Sequence, residues 1–127
     1  MHSNPALKEA RGAVVNVASI AGIDSAGSSL AYSATKAAVI SLTKNLARAL
    51  APQVRVNAVA PGAVDTSWTL KLTDEQRRSS IEGALLKRRC KPEDLAEIII
   101  FLGFGAAMVT GQTLVVDGGL TLGQMPA

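Results

Sequence analysis

Tyr32 and Lys36 stand four residues apart in the stretch "SSLAYSATKAAVISLTKNLARAL", Ser28 to Leu50. On a helix, residues at that spacing are neighbours, with about 5–6 Å between their Cβ atoms. An ammonium held beside a phenol stabilises the tyrosinate and lowers the phenol's pKa from its ordinary value of about 10. A tyrosine tuned in this way passes a proton to or from a reacting oxygen. Lysine keeps three donors, so it can also hold a ligand hydroxyl. The pair alone is a loose pattern, and two structural readings compete with it. Lys36 can snorkel, with its stem on apolar surface and its head in water. Tyr32 can be a core residue with its hydroxyl at the rim.

Two other stretches supply hydroxyls and exposed backbone. Ser19 ends the β-branched run "GAVVNVAS", Gly12 to Ser19, and precedes Tyr32 by thirteen residues. A hydroxyl there can donate to a substrate carbonyl oxygen while Tyr32 handles the proton; the alternative is a loop serine bonded to its own backbone. In "APGAVDT", Ala60 to Thr66, Pro61 and Gly62 force a turn that lets backbone approach a ligand. Backbone near Val64 and the Thr66 hydroxyl can then bond a flat polar ligand, or the segment is an ordinary turn after a strand.

The elements that must position these groups can be read in order. "GAVVNVAS" reads as a buried strand, and "IAGIDSAGSS" as a loop in which Ser28 or Ser29 caps the next helix. That helix runs to about Leu50, where Pro52 stops it. With Tyr32 set at 0° on a helical wheel, Lys36 falls at about 40°, inside an apolar arc with Val39, Leu46 and Leu50. Lys44 and Arg48 fall on the opposite side, where a helix normally keeps its charges. "VRVNAVAPG" is a second strand. "TDEQ", Thr73 to Gln76, has the capping-box form, and a polar helix follows to about Lys87. Pro92, Glu93 and Asp94 open a further helix, apolar on every side from Ile98 and therefore buried or in a subunit interface. "QTLVVDGG", Gln112 to Gly119, is a third strand. Apolar strands alternating with helices predict an α/β fold with a parallel sheet covered on both faces. The strands' carboxyl ends are then where a ligand binds.

Composition narrows the function classes. The 127 residues suffice for one domain. Net charge is only +3. The basic clusters, Arg77–Arg78 and "KRRCK", Lys87 to Lys91, read as solvated helix ends, so no nucleic-acid partner is expected. The single Cys90 precludes an internal disulfide and fits a reducing compartment. Its basic neighbours favour a lowered thiol pKa, but no histidine follows to partner it. No metal-ligand cluster is visible. The longest apolar run, Ile98 to Val109, is shorter than the roughly 20 residues a bilayer requires. These features predict a cytoplasmic protein with no membrane partner.

Together "GAVVNVASIAG", "AYSATKAAV", "VRVNAVAPGAVDT" and "TGQTLVVDGG" resemble the short-chain dehydrogenase/reductase family in order and spacing, over roughly residues 12–119. The style is most similar to the 3-oxoacyl-carrier-protein reductases. The resemblance implies roles for these residues: Ser19 orients the substrate, Tyr32 is the catalytic acid/base, and Lys36 assists Tyr32 and bonds the nicotinamide ribose. With Tyr32 and Lys36, Pro61, Gly62, Val64 and Thr66 would hold the nicotinamide end of NAD or NADP. Residues 67–88 would form a substrate lid, with Ile81, Leu85 and Leu86 as its apolar side. The implied reaction is hydride transfer between the nicotinamide and a small carbonyl or alcohol substrate.

The family's pattern is only half present. No Gly-rich phosphate-binding turn precedes Ser19, and "GFG", Gly103 to Gly105, follows a helix rather than opening one. The expected architecture is therefore the C-terminal half of a doubly wound, Rossmann-like parallel sheet, one partial domain over residues 1–127 with the N-terminal βαβ half missing. Such a half leaves the Gly12–Ser19 strand with a bare edge, and edges of that kind invite pairing with another chain. Ala31, Ala34, Ala38 and Ala49 suit close helix contact, so a homo-oligomer through the 30–50 helix and this edge is expected. The alternative is a non-catalytic module that oligomerises or binds a partner.

Overall fold

The computed structural model describes residues 11–24, 29–66 and 71–126. Three parallel strands, β1 (Ala13–Val17), β2 (Arg55–Pro61) and β3 (Thr113–Val116), form one sheet in the order β1-β2-β3. Between them lie α1 (Leu30–Leu50), α2 (Asp74–Gly83) and α3 (Pro92–Phe104). The expected half of a doubly wound sheet is thus present, with β1 at an edge that no strand among the described residues covers.

β2 is the middle strand, and every residue from Val56 to Pro61 is buried. Its largely apolar run, interrupted by the buried Asn57, follows from cover on both faces. Val14 and Val56 are register partners. On that face they pack with Val54, Ala47 and Leu50, so α1 covers it. Side chains alternate along a strand, so Val15 and Arg55 reach the other face, beside Ile99, Ile100 and Gly103 of α3.

Local signals set most boundaries. Ser29 caps α1 by accepting the Tyr32 N–H at 3.1 Å; Ser28 lies outside the described residues. At the far end Ala51, which precedes Pro52, is extended, the conformation that a following proline imposes. The capping box at Thr73 and Gln76 forms as expected.

Asp94 closes the start of α3. Its carboxylate accepts the Lys91 N–H at 2.8 Å and takes both ends of the Arg88 guanidinium. Arg88 chiefly, then the Lys91 amide, holds the carboxyl down at about 2. Between that value and the ordinary carboxylate value of about 4 the unfolded chain binds more protons than the native one. The contribution of Asp94 to stability is therefore complete above about pH 5 and disappears as pH falls toward 2. Urea midpoints of the wild type and of Asp94→Asn are expected to differ near neutrality and to converge below about pH 4.

Three expectations are corrected. Helix α2 ends at Gly83, four residues before Lys87. Ala84 turns extended and is buried, and Leu86 N–H donates to the Gly118 carbonyl at 3.0 Å. Docking on the Gly118–Gly119 turn outweighs continued helix, and the Glu82 and Gly83 carbonyls take side-chain donors from Lys87 and Gln124 instead. As a result Leu85 and Leu86 follow α2 rather than forming its apolar side. In α3 only Leu102 is fully buried, while Ile100, Phe101 and Phe104 are exposed, so of the two places expected for its apolar surface, burial within the chain is the one that fails. Finally, "GFG" straddles the end of α3, with Gly103 and Phe104 inside the helix.

The exit of α3 is held by Arg55. Its guanidinium donates to the carbonyls of Leu102 at 2.9 Å, Ala106 at 3.0 Å and Gly103 at 3.3 Å. A cation at a helix C-terminus satisfies orphan carbonyls and complements the helix dipole. Arg55→Met keeps much of the stem but removes every donor. It is expected to lower unfolding free energy in urea by about 1.5–3 kcal/mol, the range for hydrogen bonds from a charged group.

Candidate active site

β1, β2 and β3 are parallel, so Ser19, Gly62 and Asp117 all follow strand carboxyl ends on the same side of the sheet. Ser19 leaves β1 in extended conformation and caps a single 3-10 turn, Ile20–Gly22. Its Oγ accepts the Ala21 N–H at 3.1 Å. The alternative of a serine bonded to its own backbone therefore holds, and it does not exclude a second role. An oxygen engaged as acceptor keeps its hydrogen for donation.

The 3-10 turn is packed against two of the other segments. A Cβ on Gly22 would lie 2.6 Å from the Lys36 carbonyl carbon and 2.7 Å from the Ala37 nitrogen. The turn therefore rests on the backbone of α1 at Lys36, a contact only glycine allows. A Cβ on Gly62 would lie 2.7 Å from the Asp117 Cβ and 3.7 Å from the Ile20 side chain. The close approach foreseen at Gly62 is thus made to the end of β3, with the Ser19 turn beside it.

Tyr32 and Lys36 meet on the first two turns of α1. The Lys36 Nζ lies 5.7 Å from the centre of the Tyr32 ring, within cation–π range. It also donates to the Val17 carbonyl at 3.3 Å. Ala18 N–H bonds inward to Val59, so across the same planar peptide the Val17 carbonyl points to the open edge. Lys36 covers it there. The apolar stripe expected around Lys36 is real at depth, since Thr43, Ala47 and Leu50 are buried, while Tyr32 is 42% exposed.

The Pro61–Thr66 segment continues β2. Gly62 N–H donates to Val116, and Val64 forms a parallel bridge with Cys90 through Cys90 N–H to Ala63 and Asp65 N–H to Cys90, each 2.8 Å. The Ala63 carbonyl points to Cys90, so the Val64 N–H, anti to it in the same peptide, points away from the bridge. Thr66 is exposed at the end of this segment, and residues 67–70 of the expected lid lie outside the described residues.

Asp117 anchors the third strand end. Burial pushes its carboxyl up, but N–H donors from Thr121 at 2.8 Å and Gly119 at 2.9 Å outweigh burial and leave it below the ordinary value. Cys90 is a correction. Burial, not its basic neighbours, dominates and pushes the thiol up, and its Sγ contacts the Val116 carbonyl at 3.2 Å. Arg89 is another: within "KRRCK" it was expected to be solvated, yet it is buried. Gly22, Arg89 and Asp117 were not singled out as site residues. Only Gly22, within "ASIAG", and Asp117, within "VVDGG", carried a signal, as parts of the quoted motifs.

Known proteins share much of this sequence and fold. The family model described as enoyl-(acyl carrier protein) reductase matches residues 1–121. The short-chain dehydrogenase/reductase homolog YusR of Bacillus subtilis is 47% identical over 119 residues, covering 93% of this chain and 91% of that protein. The chain belongs to the short-chain dehydrogenase/reductase family. Within it, the 3-oxoacyl-[acyl-carrier-protein] reductase FabG of Thermotoga maritima is 42% identical over 118 residues, 91% of this chain and 48% of that one. A 3-oxoacyl-[acyl-carrier protein] reductase from Brucella melitensis superposes with a TM-score of 0.85 at 37% identity, over 91% of this chain and 45% of that structure. One from the same organism with bound NAD superposes at 0.78 with 36% identity, over 91% and 44%. The chain thus spans about half the length of the reductases it matches, and nine-tenths of YusR. The family's members with named activity here are oxidoreductases. Among the described residues no helix is long and apolar enough to cross a membrane.

Proposed function

We propose that this chain carries the proton-transfer centre of an NAD(P)-dependent oxidoreductase, with Ser19, Tyr32 and Lys36 as its catalytic residues and a small carbonyl or alcohol as its substrate. The observation that carries this reading is the Lys36 ammonium held over the Tyr32 ring at the carboxyl end of the sheet. In the reducing direction, Ser19 donates its free hydrogen to the substrate carbonyl oxygen and holds it. Tyr32 gives its phenolic proton to that oxygen as negative charge develops, and the Lys36 ammonium stabilises the tyrosinate left behind. In the oxidising direction tyrosinate takes the alcohol proton. A nicotinamide held here would supply the hydride to the carbonyl carbon, or would accept it in reverse.

The residues fit the nicotinamide end of such a cofactor, and we assign only that end to them. Lys36 spends one donor on Val17 and keeps others for a ribose hydroxyl. The Val64 N–H direction and the Thr66 hydroxyl suit a carboxamide, with Pro61 and Gly62 extending β2 up to them. Residues 67–88 are the substrate lid on this reading.

We further assign the open β1 edge and the exposed Ala31, Ala34, Ala38 and Ala49 face of α1 to a homo-oligomeric contact. Val17 and Leu30, 51% and 92% exposed, leave apolar surface to be covered there. A stable, monodisperse monomer in light scattering would overturn this assignment.

The test of the enzymatic reading is titration of the purified chain with NADH and NADPH, followed by addition of small ketones and aldehydes. Saturable binding and carbonyl-dependent loss of absorbance at the reduced nicotinamide band are expected. Absence of both refutes the assignment.

A further inference from the structure

Arg89 stands in a run of basic residues, yet its side chain is only 6% exposed. A guanidinium taken out of water must be paired. Its Nε donates to the Asp65 carboxylate at 2.8 Å, one terminal nitrogen donates to the Val64 carbonyl at 3.2 Å, and the other donates to the Ser80 hydroxyl. Two of these partners belong to the Ala63–Thr66 segment and one to α2. Ser80 passes its own hydrogen back to the Arg77 carbonyl at 2.8 Å, within α2. The neighbouring Cys90 brackets the same segment through its backbone. Helix α2 has no buried residue of its own. It lacks the apolar face that normally fixes a helix to a sheet, so polar ties must hold it. Arg89 is the buried one among them. Arg77, 3.9 Å from the same Asp65 oxygen, is a solvent-facing second tie.

We propose that Arg89 is a positioning residue whose buried guanidinium locks α2 to the Val64–Thr66 loop, so that the lid helix and the nicotinamide-binding loop respond to ligand as one unit. The coupling to ligand rests on the assignment of that loop above; the lock itself does not. Asp65 takes only the Nε while the two terminal nitrogens reach Val64 and Ser80, a three-way spread from one planar guanidinium that a lysine ammonium does not reproduce.

Amide hydrogen exchange of the full chain tests both parts. In Arg89→Met without ligand, exchange of residues 74–83 and of 63–66 is expected to accelerate by at least about 10-fold, with α1 and β2 unchanged, as local opening predicts. Arg89→Lys is expected to fall between Met and the wild type. Ser80→Ala, which leaves no buried charge unpaired, is expected to accelerate α2 alone, and it keeps the test decisive where Arg89→Met loosens the whole fold. With saturating NADH, both segments of the wild type are expected to slow, whereas in Arg89→Met only 63–66 slows. Wild-type exchange rates of α2 in both Arg89→Met and Ser80→Ala would overturn the lock. An α2 in Arg89→Met that still slows with NADH would overturn the coupling. If NADH slows neither segment of the wild type, the nicotinamide assignment fails, and the ligand-free arm still decides the lock.

Discussion

Tyr32→Phe is expected to reduce carbonyl-dependent oxidation of NADH or NADPH by roughly 10²–10⁴-fold, the span of a general acid/base contribution. The substitution removes one oxygen and little else. The ring stays beneath the Lys36 ammonium, since cation–π attraction needs only the ring face. The Ser29 cap bonds the backbone N–H of residue 32, which any residue supplies. Unfolding in urea should therefore be nearly unchanged, and nucleotide binding should persist because Lys36 is intact. Loss of turnover with binding and stability retained isolates the proton-transfer role. Lys36→Met should behave differently. It removes the charge that stabilises tyrosinate and a donor for the ribose, so turnover and nucleotide affinity fall together. Unaltered turnover in a folded Tyr32→Phe protein would remove the tyrosine from the mechanism.

Gly22→Ala is expected to destabilise the chain by about 1–3 kcal/mol or more, the cost of overpacking a well-packed contact. The added methyl would meet three backbone atoms of Lys36 and Ala37 at 2.6–2.8 Å. A flexible side chain could swing aside, but a helix backbone inside its hydrogen-bond ladder cannot. The 3-10 turn must lift from α1, carrying Ser19 away from Lys36, so activity should fall along with stability. The same exchange at Gly103 serves as a control, because nothing lies within 4 Å of a Cβ placed there. Gly103→Ala, in the last turn of α3, should gain part of the roughly 0.5–1 kcal/mol that helix propensity gives in a helix interior. Opposite signs for one chemical change, read from urea midpoints, would confirm that contact rather than composition governs Gly22. Equal effects would refute the packing account.

What the amino-acid order determined by itself was short in range. Ser29, the Thr73–Gln76 box and Pro92 start three helices, because each cap is satisfied within one helical turn. Tyr32 and Lys36 share a face because four residues nearly complete a turn. The three apolar runs became parallel strands because each lies beside a helical pattern that can cover it. Other features depended on partners far along the chain. Arg89 looked like one more solvated charge until Asp65 and Val64, more than twenty residues away, closed around it. Cys90 sat among cations whose influence burial outweighed. Helix α2 stopped at Gly83 because the turn after β3 offered Ala84 and Leu86 a better place than another helical turn. Arg55 found the end of α3 nearly fifty residues later. Propensity and capping act through hydrogen bonds of fixed sequence offset, so they are legible locally. Desolvation, close packing and the pairing of buried charge depend on which distant segments share a site, and only the tertiary structure decides that.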